Sequence, residues 1–276
     1  MVKSVKTQMY AIFQRSSPYI VFIILLTFVL INYFHNLNQY KGYYIFEIVN
    51  PLRLSILEAT NEEYNIMLIQ YLPFMLVLPA GFSFVRDIET REIVYISMRV
   101  SKIKYYIGKF IAVFLSTFIV FVLPLFIEML LNNIAFTMEA RGNPFNISEI
   151  SSNYMNMVDK YFLSDLYIAH PYLYYCLFVC VFGAVAGTFA VFTLSLSMFI
   201  KSSMKAFLFL PAYLFTCGLN IITENLHTDV STNYYYYLRF FDSANKNGIA
   251  YACIIGSVFL LSLIIVCIKS KTCKVI

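Results

Sequence analysis

Six apolar stretches dominate the sequence: Pro18 to Phe34, Ile66 to Val85, Tyr106 to Leu131, Pro171 to Ile200, Ala206 to Ile222 and Ile249 to Ile268. Each is long enough to cross the hydrocarbon core of a bilayer, which takes about 20 apolar residues in a helix with a range of roughly 17 to 25. In lipid a lone strand leaves its backbone groups unpaired whereas a helix satisfies its own. The expected fold is therefore all-α: a polytopic membrane protein with six transmembrane helices, forming a single domain over residues 1–276. Charged residues make up only 13% of the chain against 60% hydrophobic ones, and mean hydropathy is +0.72. That is far from the soluble average of roughly 25% charged.

The first stretch follows Lys3, Lys6 and Arg15, like the h-region of a signal peptide. Asn32, Tyr33, Phe34 and His35 follow it in place of a small-residue cleavage site, so it is expected to be a mature span. Before it, Val2, Val5, Met9, Ile12 and Phe13 recur at helical spacing opposite Lys3, Lys6, Gln14 and Arg15. This predicts an interfacial helix over residues 2–15 lying on the inner leaflet.

Charge sets the orientation. With an inside amino terminus, the inside segments hold most of the bases, leaving Lys41, Arg53, Arg141, Lys160, Arg239 and Lys246 outside. Both termini are therefore expected in the cytoplasm of a plasma-membrane protein. The net charge of +5 sorts along the spans and gives no reason to expect nucleic-acid binding. The outer loops, residues 35–65 and 132–170, are long enough to hold short helices. Tyr234 to Tyr237 suit a headgroup-level aromatic belt.

Candidate chemistry is sparse. The six cysteines lie in or beside apolar segments, and Cys176 and Cys180 stand one helical turn apart without a His or carboxylate in their span, so neither a disulfide framework nor a metal site is expected. His35, His170 and His227 sit in outside loops or at span ends, where none completes an intramembrane catalytic pair. Gly108 and Lys109 are followed by Phe110, and no glycine stands five residues before Gly108, so the chain lacks a phosphate-binding loop and is expected to hydrolyse no ATP itself. No cofactor and no enzyme activity are expected in this chain.

Glu128 is the only acid well inside a span and so a candidate polar site, although near the outer end it can also snorkel or bond to a neighbour. Gly183 and Gly187 form a GxxxG in the fourth span that suits close helix packing, within the chain more readily than between two copies. Pro73, Pro79, Pro124 and Pro211 lie in apolar spans and can kink them.

Between the second and third spans, Arg86 to Lys109 reads RDIETREIVYISMRVSKIKYYIGK. Its acids Asp87, Glu89 and Glu92 are the only ones expected to face the cytoplasm, since every other Asp and Glu except Glu128, within a span, falls in an outside loop; mixed charge suits a surface made for another protein. Asp87 and Arg91, four apart, can pair on one helix face or reach to a partner. Ile93, Ile96, Val100 and Ile103 would form an apolar stripe, while the alternation of Val94, Ile96, Met98 and Val100 leaves a strand open.

This block resembles the region after the second span in permease subunits of ABC-2 type ATP-binding cassette transporters. The matching residues are Asp87 and Glu89, then Ile93, Val94 and Ile96, then Val100, Ser101 and Lys102, and at the end Tyr106, Gly108 and Lys109. Arg91 and Glu92 stand at the usual Gly-Thr, and Arg99 at the usual proline. The family architecture is similar over almost the whole chain, including an amphipathic amino-terminal helix and a partly re-entrant segment that residues 224–247 match in position. The resemblance implies a coupling helix carrying Asp87, Glu89, Arg91, Glu92, Ile93, Ile96, Arg99, Ser101 and Lys102, docked on an ABC ATPase expected in two copies. It also implies ATP and Mg bound by that ATPase, a second permease that is either a copy of this chain or a paralogue, and export of an amphipathic peptide, drug or lipid. An ion- or proton-coupled transporter using Glu128, and a membrane scaffold or sensor that transports nothing, are the alternatives; an intramembrane enzyme ranks last.

Overall fold

A computed structural model of the chain describes residues 2–44, 51–57, 62–99, 101–136, 163–199, 208–210, 213–214, 218 and 248–272. Among them every regular element of more than a few residues is a helix: α1 (Val2–Phe13), α2 (Ser16–Gln39), α3 (Glu62–Val77), α4 (Ser83–Glu89), α5 (Glu92–Arg99), α6 (Lys102–Ala135), α7 (Ser164–Ala169), α8 (Pro171–Ser197) and α9 (Gly248–Thr272). Four are long and apolar enough to cross a membrane: α2, α6, α8 and, within α9, Ala252–Lys271.

The second expected span, Ile66 to Val85, is not one helix. The 16 residues of α3 span about 24 Å, less than the roughly 30 Å hydrocarbon core. After Val77 the chain makes successive turns, with Gly81 N–H on Val77 C=O at 2.9 Å and Ser83 N–H on Ala80 C=O at 2.9 Å, before α4 begins. Pro79 is the physical cause: it has no N–H to continue the ladder and disfavours the helical region for Leu78 before it. Its carbonyl instead accepts from Ser17 Oγ at 3.5 Å, tying the break to the start of α2. Most of the fifth expected span lies outside the described residues, as do the tyrosine run and the whole of 224–247.

Helix α6, 34 residues and about 51 Å long, exceeds the roughly 30 Å that a bilayer core requires and is the spine of the fold. One core packs its second half against α2, α3, α8 and the segment 51–57, with Val29, Leu72, Phe121 and Phe182 among its buried residues. The other packs its first half against α1, α4 and the later part of α8, around Ile12, Phe84, Tyr105, Phe110 and Leu194. The apolar side of α1 faces this second core: Ile12 is buried, and Val5 and Met9 pack on it. The amphipathic pattern thus serves contact with α6 as well as any lipid surface.

Gly183 and Gly187 allow α6 and α8 to touch. A Cβ on Gly183 would sit 2.3 Å from Val122 Cγ2, and one on Gly187 2.8 Å from Phe114 Cδ2. The GxxxG stripe is occupied within the chain. Outward, α2 exposes Ile20, Ile23 and Ile31, and α9 exposes Leu260, Leu261 and Ile264, the apolar faces that a bilayer covers.

Candidate functional site

Two buried polar centres occupy the two ends of α6. The first is built on Asp87, which α4 directs inward toward the start of α6, with only 1% of the residue exposed. Its Oδ1 lies 2.9 Å from Arg15 Nη2, and its Oδ2 lies 2.7 Å from Lys109 Nζ. The Tyr105 hydroxyl donates to the same Oδ2 at 2.5 Å. Tyr105 and Lys109, one helical turn apart on α6, present both donors on one face. Lys109 also donates to Gln8 Oε1 of α1 at 3.1 Å. A buried charge is tolerated when paired and fully hydrogen-bonded, and Asp87 meets both conditions.

Arg15, at the junction of α1 and α2, extends the centre. Its Nη1 donates to the Ser83 carbonyl at 3.4 Å, and its Nη2 lies 3.5 Å from Glu92 Oε2 at the first residue of α5. One guanidinium therefore touches the carboxylates of two successive short helices. Between these helices the chain turns at Arg91, whose φ of 56° is left-handed and unusual for a residue with a Cβ. The last turn of α4 is closed by Thr90, whose hydroxyl donates to the Arg86 carbonyl at 2.9 Å.

The block from Asp87 to Lys102 is thus divided. Asp87 faces inward and pairs with Arg15 and Lys109; the anticipated pairing with Arg91 on one helix face does not form, because the helix has ended by then. Glu89 and Arg91 are exposed, and Glu92 is partly exposed beside Arg15. Ile93 and Ile96 pack inward on the core around Ile12 and Tyr105. Arg99 ends α5, Ser101 is the N-cap of α6 and Lys102 is its exposed first residue. Residues 92–99 are helical, which resolves the choice between helix and strand.

Sequence reasoning assigned four members of this centre to no site: Gln8 and Tyr105, and also Arg15 and Lys109, which it named only for the amphipathic helix and the resemblance. Lys109 carried a usable signal, because it falls inside the apolar stretch Tyr106 to Leu131, where a charge needs a partner. Tyr95 was also missed; it stands 70% exposed on the outer face of α5. Gly108 gains a packing role, since a Cβ there would lie 2.6 Å from Ser4 Oγ of α1.

The second centre surrounds Glu128, 19 residues and about 28 Å farther along α6. It is fully buried and hydrogen-bonds to neighbours instead of snorkelling. Oε1 accepts from Asn32 Nδ2 of α2 at 2.8 Å and from the Ile56 N–H at 2.8 Å, while Oε2 accepts from Ser55 Oγ at 3.0 Å. The Ser55 hydroxyl also lies 2.8 Å from the Tyr175 hydroxyl of α8. With the Ser55 proton on Glu128, Tyr175 is the donor in that second bond. Among the described residues no cation pairs with Glu128. One turn on, Asn132 is buried and its side-chain amide has no hydrogen-bond partner among the described residues.

Comparison with models of known protein families, with characterised proteins and with solved structures gives no match for this chain.

Proposed function

We propose that this chain is the membrane-spanning permease subunit of an ABC-2 type exporter. A separate ATPase subunit, in two copies, binds ATP and Mg, and this chain, with a second copy or a paralogue, moves an amphipathic peptide, drug or lipid outward across the cell membrane. On this reading the chain has six spans, with the broken Ile66–Val85 segment and Ala206–Ile222 joining the four long apolar helices. Both termini lie in the cytoplasm, and α5 is the coupling helix.

The observation that carries the reading is the way α5 is attached. A short helix with exposed Glu89, Arg91 and Tyr95 around it is joined at Glu92 to Arg15, and through Asp87 to Lys109 of a helix that crosses the membrane. A push on α5 therefore acts on the α1–α2 junction and on α6 together.

Copurification of an ATPase with the tagged chain tests the assembly. Reversing Glu89 and Arg91 together, with Asp87 intact, tests the docking surface: ATP hydrolysis should continue while transport is lost. Retained coupling in that variant counts against α5 as the point of contact. A second reading, an ion- or proton-coupled transporter, is favoured by the lack, among the described residues, of a cationic partner for the fully buried Glu128. It predicts transport that needs no ATP and stops in Glu128→Gln.

A further inference from the structure

The segment Pro51 to Leu57 is held the way a protein holds a bound peptide. It has no regular secondary structure, yet Leu52, Leu54, Ser55, Ile56 and Leu57 are all buried among α2, α3, α6 and α8. The helices grip its main chain. Asn32 Nδ2 and Asn36 Nδ2 each donate to the Leu54 carbonyl at 2.9 Å, and the Glu128 carboxylate accepts the Ile56 N–H at 2.8 Å. Three side chains from two helices thus read a carbonyl and the N–H two residues later.

We infer that Asn32, Asn36 and Glu128 form a binding site for an apolar peptide in a turn, and that residues 51–57 are its tethered occupant. The chemistry specifies the class of ligand. Every peptide offers a carbonyl at one residue and an N–H two residues on, so this pair of contacts is indifferent to side-chain identity. A hydrocarbon lipid tail or an apolar drug offers neither group. Around those contacts the walls are apolar, with Val29, Leu68, Leu125 and Phe182 in the same core as Ile56. The site also engages the Ser55 side chain directly, through Glu128 and Tyr175. When the segment leaves, Glu128 loses two of its donors, a cost that an incoming peptide backbone offsets by donating its own N–H.

The inference rests on the exporter reading for the statement that such a peptide is cargo, and it narrows peptide, drug or lipid to peptide. A tethered occupant competes at an effective concentration in the millimolar range. If it fills the site about 99% of the time, a free peptide binds about 100-fold more weakly than to the open site.

The probe is a fluorescein-labelled peptide copying residues 51–57, PLRLSIL, followed by anisotropy on the full chain in detergent. Ile56→Pro removes the N–H that Glu128 accepts and loosens the tethered segment, so the apparent Kd for the probe should tighten at least tenfold relative to wild type. The same peptide N-methylated at the position of Ile56 should bind the variant at least tenfold more weakly than the parent peptide. Equal binding of parent and N-methyl peptides, or no tightening in a variant that keeps its helicity and stays monodisperse, overturns the proposal. If Ile56→Pro fails to fold, hydrogen–deuterium exchange on the wild-type chain decides: excess parent peptide should raise exchange across residues 51–57 at least threefold and the N-methyl peptide should not. Unchanged exchange overturns the site. Peptide binding without a copurifying ATPase keeps the site and removes the exporter, whereas a copurifying ATPase without peptide binding does the reverse.

Discussion

Lys109 Nζ at the start of α6 and Asp87 Oδ2 of α4 meet at 2.7 Å, and both side chains are buried. The pair is a fixed point between the exposed α5 region and the long apolar α6. Because Arg15 completes the same carboxylate, removing Asp87 leaves two cations without their shared partner. Asp87→Leu alone should therefore cost about 3–5 kcal/mol, the range for breaking a buried pair from one side, and Lys109→Met alone should destabilise in the same direction. The double variant Asp87→Leu with Lys109→Met should recover most of that loss, since Arg15 retains Glu92. Thermal unfolding in detergent of the two single variants and the double one measures the coupling; a simple sum of the single effects would mean that the contact contributes nothing specific.

Close approach of α6 and α8 depends on the missing Cβ at position 183. At 2.3 Å from Val122 Cγ2, an added methyl has no room unless the helices separate. Gly183→Ala should destabilise by about 1–3 kcal/mol, the usual cost of overpacking. Val122→Ala in the same chain should restore part of it by removing the clashing methyl. Unfolding midpoints for the single and double variants check this, and an equal midpoint for Gly183→Ala and wild type would deny the close contact.

The four long apolar helices and the packing glycines were legible because their signals are local: about 17 or more apolar residues, or small residues four apart, need no knowledge of the rest of the chain. Asp87 was singled out for its charge, but its inward direction depends on partners at Arg15, Tyr105 and Lys109, from 72 residues before it to 22 after. The sign of a charge is written in the sequence; its neighbours across the fold are not. Pro79 did carry the signal that breaks the second span, and it was outweighed by the length of the apolar run around it. For Glu128 the residue was legible as an expensive intramembrane acid, whereas its partner Ile56 donates through the backbone, which no side-chain pattern encodes.

At Glu128, charge and hydrogen bonding separate experimentally. Gln has the same shape, can accept the Ile56 and Asn32 N–H groups through its carbonyl, and can turn its amide toward Ser55, whose hydroxyl then donates to Tyr175. Glu128→Gln should change stability by less than about 1 kcal/mol, while Glu128→Ala leaves buried donors unpaired at about 1–3 kcal/mol each. Chemical denaturation of both variants reads the difference. Loss of transport in the stable Gln variant would favour the ion-coupled reading over the exporter.

Arg91 separates an accidental turn from a required one. A left-handed residue with a Cβ is disfavoured by roughly 1–2 kcal/mol, and β-branching makes that conformation worse. Arg91→Gly should be neutral or stabilise the fold by up to about 1 kcal/mol, because glycine adopts the observed φ of 56° without a steric cost. Arg91→Val should destabilise the fold and shift α5 away from Arg15, breaking the contact with Glu92. Paired measurements of unfolding and of maleimide labelling at Ile96→Cys, which leaves the Arg15–Glu92 contact intact, check both effects: faster labelling in the Val variant and unchanged labelling in the Gly variant are expected. If both substitutions behave alike, backbone conformation at Arg91 does not set the position of α5, and its attachment rests on Glu92 together with the inward packing of Ile93 and Ile96.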